Sequence, residues 1–268
     1  MVDFENKEYY NVYDLKKLIA VLRQPDGCPW DNEQTHESIR RNFVEEVYEV
    51  LEAIDENNPA HLCEELGDVL TQVVFHASIE EDAGNFNLDG VADMVCKKLI
   101  LRHPHVFGDV SVSGTDDVLT NWDDIKRVEK SQETVTDSLE AVAKSLPSLW
   151  RAEKIQKKAA KVGFDWPDVS GAMEKIAEEL SELSGAISSG TGTTEELGDL
   201  LFSAVNAARF LGIDPEEALS ASCDKFILRF RDMEALATAQ GKTLESMSLD
   251  EMDVLYNIAK ESLKDERK

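Results

Sequence analysis

The chain has 268 residues, 42% of them hydrophobic, with 54 acidic residues against 28 basic ones and a formal charge of −26 at pH 7. That length holds one large or two modest cores, with two domains as the softer expectation, and the negative charge argues against a nucleic-acid polymer or an anionic membrane as partner. No run approaches the roughly 18 apolar residues of a membrane span, MVDFENKEYY has no signal-peptide layout, and the four cysteines form no CxxC and no ligand spacing with His, so a cytoplasmic chain without zinc or disulfides is expected.

Within residues 9–24, Val12, Leu15, Leu18, Ile19 and Leu22 recur at helical spacing, which predicts an amphipathic helix. The turn GCPWD at 27–31 ends it, because Pro29 pushes its predecessor away from helix. Trp30 in that turn fits a core anchor or a place near a ligand. A second helix is predicted over 36–56 with Ile39, Phe43, Val47, Val50, Leu51 and Ile54 inward, stopped by Asn57, Asn58 and Pro59. A third, over 60–83, turns Leu62, Leu66, Val69, Leu70, Val73 and Ala77 inward. Gly67 costs about 1 kcal/mol relative to Ala in mid-helix, and its recurrence as Gly198 points to a close helix approach. A fourth helix is expected over 88–102, followed by the loop HPHVFGD and a short segment around 121–130. His103 and His105 flank Pro104, cannot share a helix face and read as packing residues.

Residues 131–146, rich in Ser, Thr and acids, read as a linker between a first domain at 1–130 and a second at 147–268. The second opens on the basic run Arg151, Lys154, Lys157, Lys158 and Lys161, which reads as a solvated face, or as a contact for phosphate or an acidic surface. From about residue 172 the chain repeats itself: EEVYEVLEAI at 45 matches EELSELSGAI at 178, EELGDVL at 64 matches EELGDLL at 195, and CKKLILR at 96 matches CDKFILR at 223.

These matches carry the charged residues in register. Glu46, Glu49, Glu65, Asp68, Lys98 and Arg102 answer to Glu179, Glu182, Glu196, Asp199, Lys225 and Arg229. At about 100° per residue, the first, second and fifth positions of each acidic signature share one helix face. Two such ridges on neighbouring helices could converge on a divalent cation, because Mg²⁺ takes carboxylate oxygen together with substrate phosphate. Lys and Arg four apart share a face as well, and four carboxylates with two cations are what a metal-bound polyphosphate needs. The acids lie off the apolar stripe, so periodicity also allows a plain solvent face.

The tandem E-E-x-x-E and E-x-x-D signatures, GCPWDNEQT, KLILRHPHVFGD, IQKKAAKVGFDW and KFILRFRDME together resemble the MazG family of nucleoside triphosphate pyrophosphohydrolases over nearly the whole chain. The resemblance implies an all-α fold of two tandem four-helix-bundle-like domains, an intertwined homodimer, and Mg²⁺ or Mn²⁺. It implies hydrolysis of nucleoside triphosphates to monophosphate and pyrophosphate, with the second repeat catalytic. The metal ligands carry over to Glu179, Glu182, Glu196 and Asp199, and the phosphate contacts to Lys225 and Arg229, with Lys175 a further candidate. The family's base-stacking Trp falls on Tyr256, and a substrate-contacting Lys of some relatives is lost in the loop GTGTT near Gly192. Metal bound there would activate water for attack on the α-phosphorus, with Glu178 accepting the proton. Glu46, Glu49, Glu65, Asp68, Lys98, Arg102 and Trp122 would form a second site in the first repeat. Two alternatives stand beside this reading. A di-iron oxidase needs two E-x-x-H motifs, and only Glu33 with His36 has that spacing. A non-catalytic nucleotide-sensing helical protein would keep the acids without turnover.

Overall fold

The computed structural model describes residues 4–129 and 133–265, and every regular element among them is helical. The chain divides into two compact units, Met1–Lys126 and Arg127–Lys268.

The first unit contains α1 (Val12–Leu22), α2 (Pro29–Asn32), α3 (His36–Asp55), α4 (Pro59–Asp82), α5 (Leu88–Arg102) and α6 (Pro104–Phe107), and α7 (Thr115–Glu129) begins in it. Helix α1 starts at Asn11, whose side chain accepts from the amides of Tyr13 and Asp14 while Asp14 reaches back to the Asn11 amide. Such reciprocal capping satisfies donors that a helix start leaves open. Ile19, Ile39, Val74 and Phe75 form the core, with Leu15, Leu22, Ile79 and Leu88 against them. Around that core α1 and α4 are tied by Lys16 to Glu81 at 3.0 Å and by Arg23 to Asp82 at 2.6 Å, the Arg23 guanidinium also lying over the Phe75 ring.

The second unit holds α8 (Val135–Glu140), α9 (Ser148–Ala160), α10 (Val169–Ser189), α11 (Thr193–Leu211), α12 (Pro215–Ala239), a 3₁₀ turn at Leu244–Ser246 and α13 (Leu249–Asp265). Its main hydrophobic cluster joins Met233, Ala237 and Leu255, with Leu236, Leu244, Met247, Met252 and Tyr256 packed on it. Buried Gln156 donates to the Phe202 carbonyl at 2.8 Å, fastening α9 to α11. The turn after α9 is held twice: Asp165 pairs with Arg209, and the Trp166 ring lies where a side chain at Gly171 would stand, 2.4 Å from an added Cβ.

Several expectations change. The stretch 131–146 carries α8, opened by a Thr134–Asp137 capping box and followed by buried Val142. The segment near 121–130 belongs to the longer helix α7. Trp30 is 57% exposed, so it anchors no core within the chain. Val47, Leu51, Ile54, Leu66 and Leu70, expected inward, are exposed, and the closely packed small residue Ala53 is buried instead. Apart from the helix's own adjoining backbone, no atom of the described residues lies within 4 Å of a Cβ built on Gly67 or Gly198, so neither glycine marks a close helix approach among them. Each acidic helix has apolar residues on more than one side, and one unit covers only part of them.

Candidate functional site

Each acidic group sits on a helical hairpin with a three-residue turn. In the first unit Glu56, Asn57 and Asn58 join α3 to α4, with Asn57 at φ 51° and the Asn58 side chain capping α4. In the second, Gly190, Thr191 and Gly192 join α10 to α11, with φ 73° and 79° at the two glycines, a backbone region that costs a side chain energy and suits Gly. Such short turns force each helix back along its neighbour, which brings the two signatures side by side.

The result is two carboxylate triads. Ligand oxygens of Glu179, Glu196 and Asp199 all lie within 4.8 Å of one another, and so do those of Glu46, Glu49 and Glu65. Glu179 and Glu65 are the deep members, only 4% and 8% exposed, whereas their apolar neighbours Leu180 and Leu66 are more than half exposed. One acid of each triad therefore lies inside, contrary to the position off the buried stripe that periodicity gives, while Glu49 and Asp199 stay exposed. Asp68 and Glu182, the fourth residues, stand beside the triads and act on them by charge. Desolvation first, and then Asp68, Glu49 and Glu65, raise the Glu46 carboxyl above its usual range. Desolvation followed by Glu179 and Glu196 does the same to exposed Glu182, and desolvation and Glu49 do so to Glu65. Clustered carboxylates resist losing their last protons, because each added negative charge is repelled by the others.

Basic side chains from the same chain touch the deep acids. Lys175 Nζ lies 2.8 Å from Glu178 Oε1 and 2.7 Å from Glu179 Oε1, and these two bonds raise its pKa. In the first unit His61 Nε2 lies 3.2 Å from Glu65 Oε1 and its Nδ1 2.9 Å from Glu56 Oε2, with the Glu56 bond the larger cause of a raised imidazole pKa. His61 escaped sequence reasoning, although its place four residues before Glu65, like that of Lys175 before Glu179, was legible as a spacing.

The other predicted contacts stand on different helices. Lys225 and Arg229 lie on α12 and make no ion pair among the described residues, and the Arg229 Nε is buried without a partner. Tyr256 on α13 is half-buried, its ring centroid 5.9 Å from that of Phe226. In the first unit Lys98 is partly exposed on α5 and Arg102 is buried. Trp122 has the Lys126 ammonium 4.5 Å from its ring and His103 5.8 Å away, with His103 Nδ1 2.6 Å from the Leu99 carbonyl oxygen. His103 and His105 thus act in packing this corner, their rings 5.6 Å apart.

The MazG nucleotide pyrophosphohydrolase domain matches residues 34–107 and 169–233. A Thermotoga maritima protein named nucleoside triphosphate pyrophosphohydrolase/pyrophosphatase MazG is 44% identical over 92% of this chain and 94% of its own length. The chain belongs to the MazG family. An Escherichia coli K12 nucleoside triphosphate pyrophosphohydrolase is 41% identical over 92% of this chain and 95% of its own. The uncharacterized Bacillus subtilis protein YabN is 49% identical over 95% of this chain, which spans 52% of YabN. The two matched segments hold both triads and their basic partners Lys175 and His61.

MazG-family membership implies a divalent metal, and the donors fit one. Each triad is all carboxylate oxygen, the donor type of hard cations. The second oxygen of its deep member, Glu179 Oε2 or Glu65 Oε2, is buried with no hydrogen-bond partner among the described residues. A buried ionised oxygen left so is costly unless something positive binds it.

Proposed function

We propose that the chain hydrolyses ribo- and deoxynucleoside triphosphates to nucleoside monophosphate and pyrophosphate in the cytoplasm, using Mg²⁺, or Mn²⁺ in its place, at the acidic group of the second repeat. The observation that carries this reading is buried Glu179, which has one unpartnered oxygen and offers a ligand oxygen within 4.8 Å of those of Glu196 and Asp199. The T. maritima and E. coli relatives named for this activity support the reaction class.

Glu179, Glu196 and Asp199 would hold the cation, with Glu182 completing the set from the exposed side. The metal would supply a water of lowered pKa and neutralise charge on the α-phosphate. Glu178, one residue before the deep ligand, would accept the proton of the attacking water once its bond to Lys175 loosens. Lys225 and Arg229, with no acidic partner among the described residues, would offset charge on the β and γ phosphates, with Lys175 a further phosphate contact. Tyr256 would stack on the base. The first repeat has a carboxylate triad of its own, from Glu46, Glu49 and Glu65, and would bind nucleotide in a structural or regulatory role, through Glu46, Glu49, Glu65, Asp68, Lys98, Arg102 and Trp122.

The active form would be a homodimer. Leu180, Ile187, Leu197 and Leu201 are about half exposed or more on α10 and α11, and their counterparts Val47, Ile54, Leu66 and Leu70 on α3 and α4 are exposed as well. A second copy intertwined over these faces would bury them and would give Gly67 and Gly198 the close neighbour they lack among the described residues. The deciding experiment is an Mg²⁺-dependent assay over a nucleotide panel with products identified by phosphorus NMR. Pyrophosphate and monophosphate are expected. Release of orthophosphate and nucleoside diphosphate, or full activity in excess chelator, refutes the reading.

A further inference from the structure

The deepest carboxylate of each triad already rests on a basic side chain of its own chain, and the repeats supply that side chain from different helices. In the second repeat it is Lys175, one helical turn before Glu179 on α10. Counting back equally from EEVYE reaches Asn42, which has no charge, and the first repeat draws on His61 of α4 instead. Glu65 answers in register to Glu196 and not to Glu179, so each repeat sets a basic side chain four residues ahead of whichever carboxylate it buries, which ties the basic partner to burial of the acid. Physics agrees, since an enclosed carboxylate without a partner suffers a desolvation penalty that either protonation or a nearby cation must relieve.

Lys175 is suited to provide a charge that can leave. Its side chain is 35% exposed while that of Glu179 is 5% exposed, so the ammonium reaches in from the solvent side on a flexible four-carbon stem. It holds only Oε1 of Glu179 and leaves Oε2 turned, unpartnered, within the protein. A divalent cation among Glu179, Glu196 and Asp199 and an ammonium 2.7 Å from one of those carboxylates are like charges claiming one acid.

We infer that Lys175 is an exchangeable counter-cation of the second-repeat metal site, occupying Glu179 before metal binds and competing with the metal for it. This rests on the metal-site reading above. A lysine that merely braced the Glu179 rotamer would help metal binding, so the two roles predict effects of opposite sign.

The test is calorimetric titration of the nucleotide-free full chain with Mn²⁺, with Glu65→Gln in every protein so that the first-repeat site is disabled. Lys175→Met should bind Mn²⁺ more tightly than its parent by roughly tenfold, because a unit charge a few ångströms away is removed. Lys175→Gln, which keeps a hydrogen-bond donor for Glu179 without the charge, should do the same, and Lys175→Arg should stay near the parent. Circular dichroism checks each fold, and either neutral variant suffices. Equal or weaker binding in the neutral variants, while Glu196→Gln abolishes it in the parent, overturns the inference alone. Parent binding that survives Glu196→Gln overturns the site assignment and the inference with it.

Discussion

Glu196→Gln separates the repeats most directly, with Glu65→Gln as its mirror. Glu196 contributes one of three oxygens lying within 4.8 Å of one another, so a cation bound by all three is in direct contact with it. Taking away one unit of charge about 4 Å from a cation at an effective dielectric near 20 weakens attraction by about 4 kcal/mol per unit of cation charge before relaxation. Even after half of that is recovered by water and by Glu182, metal affinity falls by roughly thirtyfold or more. The same substitution also removes an acid from the first turn of α11, where it favours the helix start, but that effect is about 0.3–1 kcal/mol and too small to compete. Initial rates of pyrophosphate release, measured while Mg²⁺ is titrated, should therefore show a much higher metal requirement in Glu196→Gln and a loss of two or more orders of magnitude at fixed low Mg²⁺. Glu65→Gln should keep most of the turnover. Should Glu65→Gln prove the more damaging change, with both folds intact by circular dichroism, the assignment of catalysis to the second repeat is wrong.

Sedimentation at micromolar concentration should give twice the 29.9 kDa chain mass, and the monomer mass would rule the dimer out. Gly67→Ala gains up to about 1 kcal/mol if that face meets water, whereas packing against a second copy predicts a shift toward monomer in the same sedimentation experiment. Gly171→Ala should lower the melting temperature by an amount worth about 1–3 kcal/mol, because its Cβ would stand 2.4 Å from the Trp166 ring. Glu251, bonded to Lys242 and to the Ser248 amide and hydroxyl, has its pKa lowered from 4.5 to about 2. A depressed folded-state value stabilises above the unfolded pKa and is lost as pH falls through the folded one. The melting-temperature difference between the native chain and Glu251→Gln should thus be full above pH 4.5 and vanish toward pH 2.

The sequence made the helices legible because caps and stops are local. Asn11 before α1, Asn57 and Asn58 before Pro59, and Asn87 before α5 each mark a boundary within a few residues of the observed one. The acidic pairing was legible for another reason: a repeated register of charges on consecutive helices survives any detail of packing. Burial was not legible in the same way. Leu66 and Glu65 are adjacent, and hydropathy alone puts the leucine inside, yet the glutamate is the buried one. Periodicity reports an apolar stripe without saying what covers it, and here a single unit does not. The short cap of α8 was present as Thr134 followed three residues later by Asp137, but composition outweighed it.

Buried Glu65 and Glu179 beside exposed Leu66 and Leu180 belong to one physical arrangement. Turning α4 or α10 about its axis would bring the leucine in and the carboxylate out, gaining about 1.5–3 kcal/mol of hydrophobic burial and relieving an unpartnered charged oxygen. The chain forgoes both gains, so the energetics favour this orientation only when a cation takes the acids and a second apolar surface takes the leucines. Stability should then be linked to both ligands. A species that binds only the folded state adds RT ln(1 + [L]/Kd), or about 2.7 kcal/mol at a hundredfold excess over Kd. The melting temperature should accordingly rise with Mg²⁺ and with protein concentration. Double substitution Glu65→Gln with Glu179→Gln should abolish the Mg²⁺ response while leaving the concentration response in place. Leu66→Glu with Leu197→Glu should do the reverse, since those leucines are exposed on the acidic helices α4 and α11. A melting temperature indifferent to Mg²⁺ in the native chain would show that the buried carboxylates are met by protons and by their own Lys175 and His61, and would remove the structural ground for a metal at either triad.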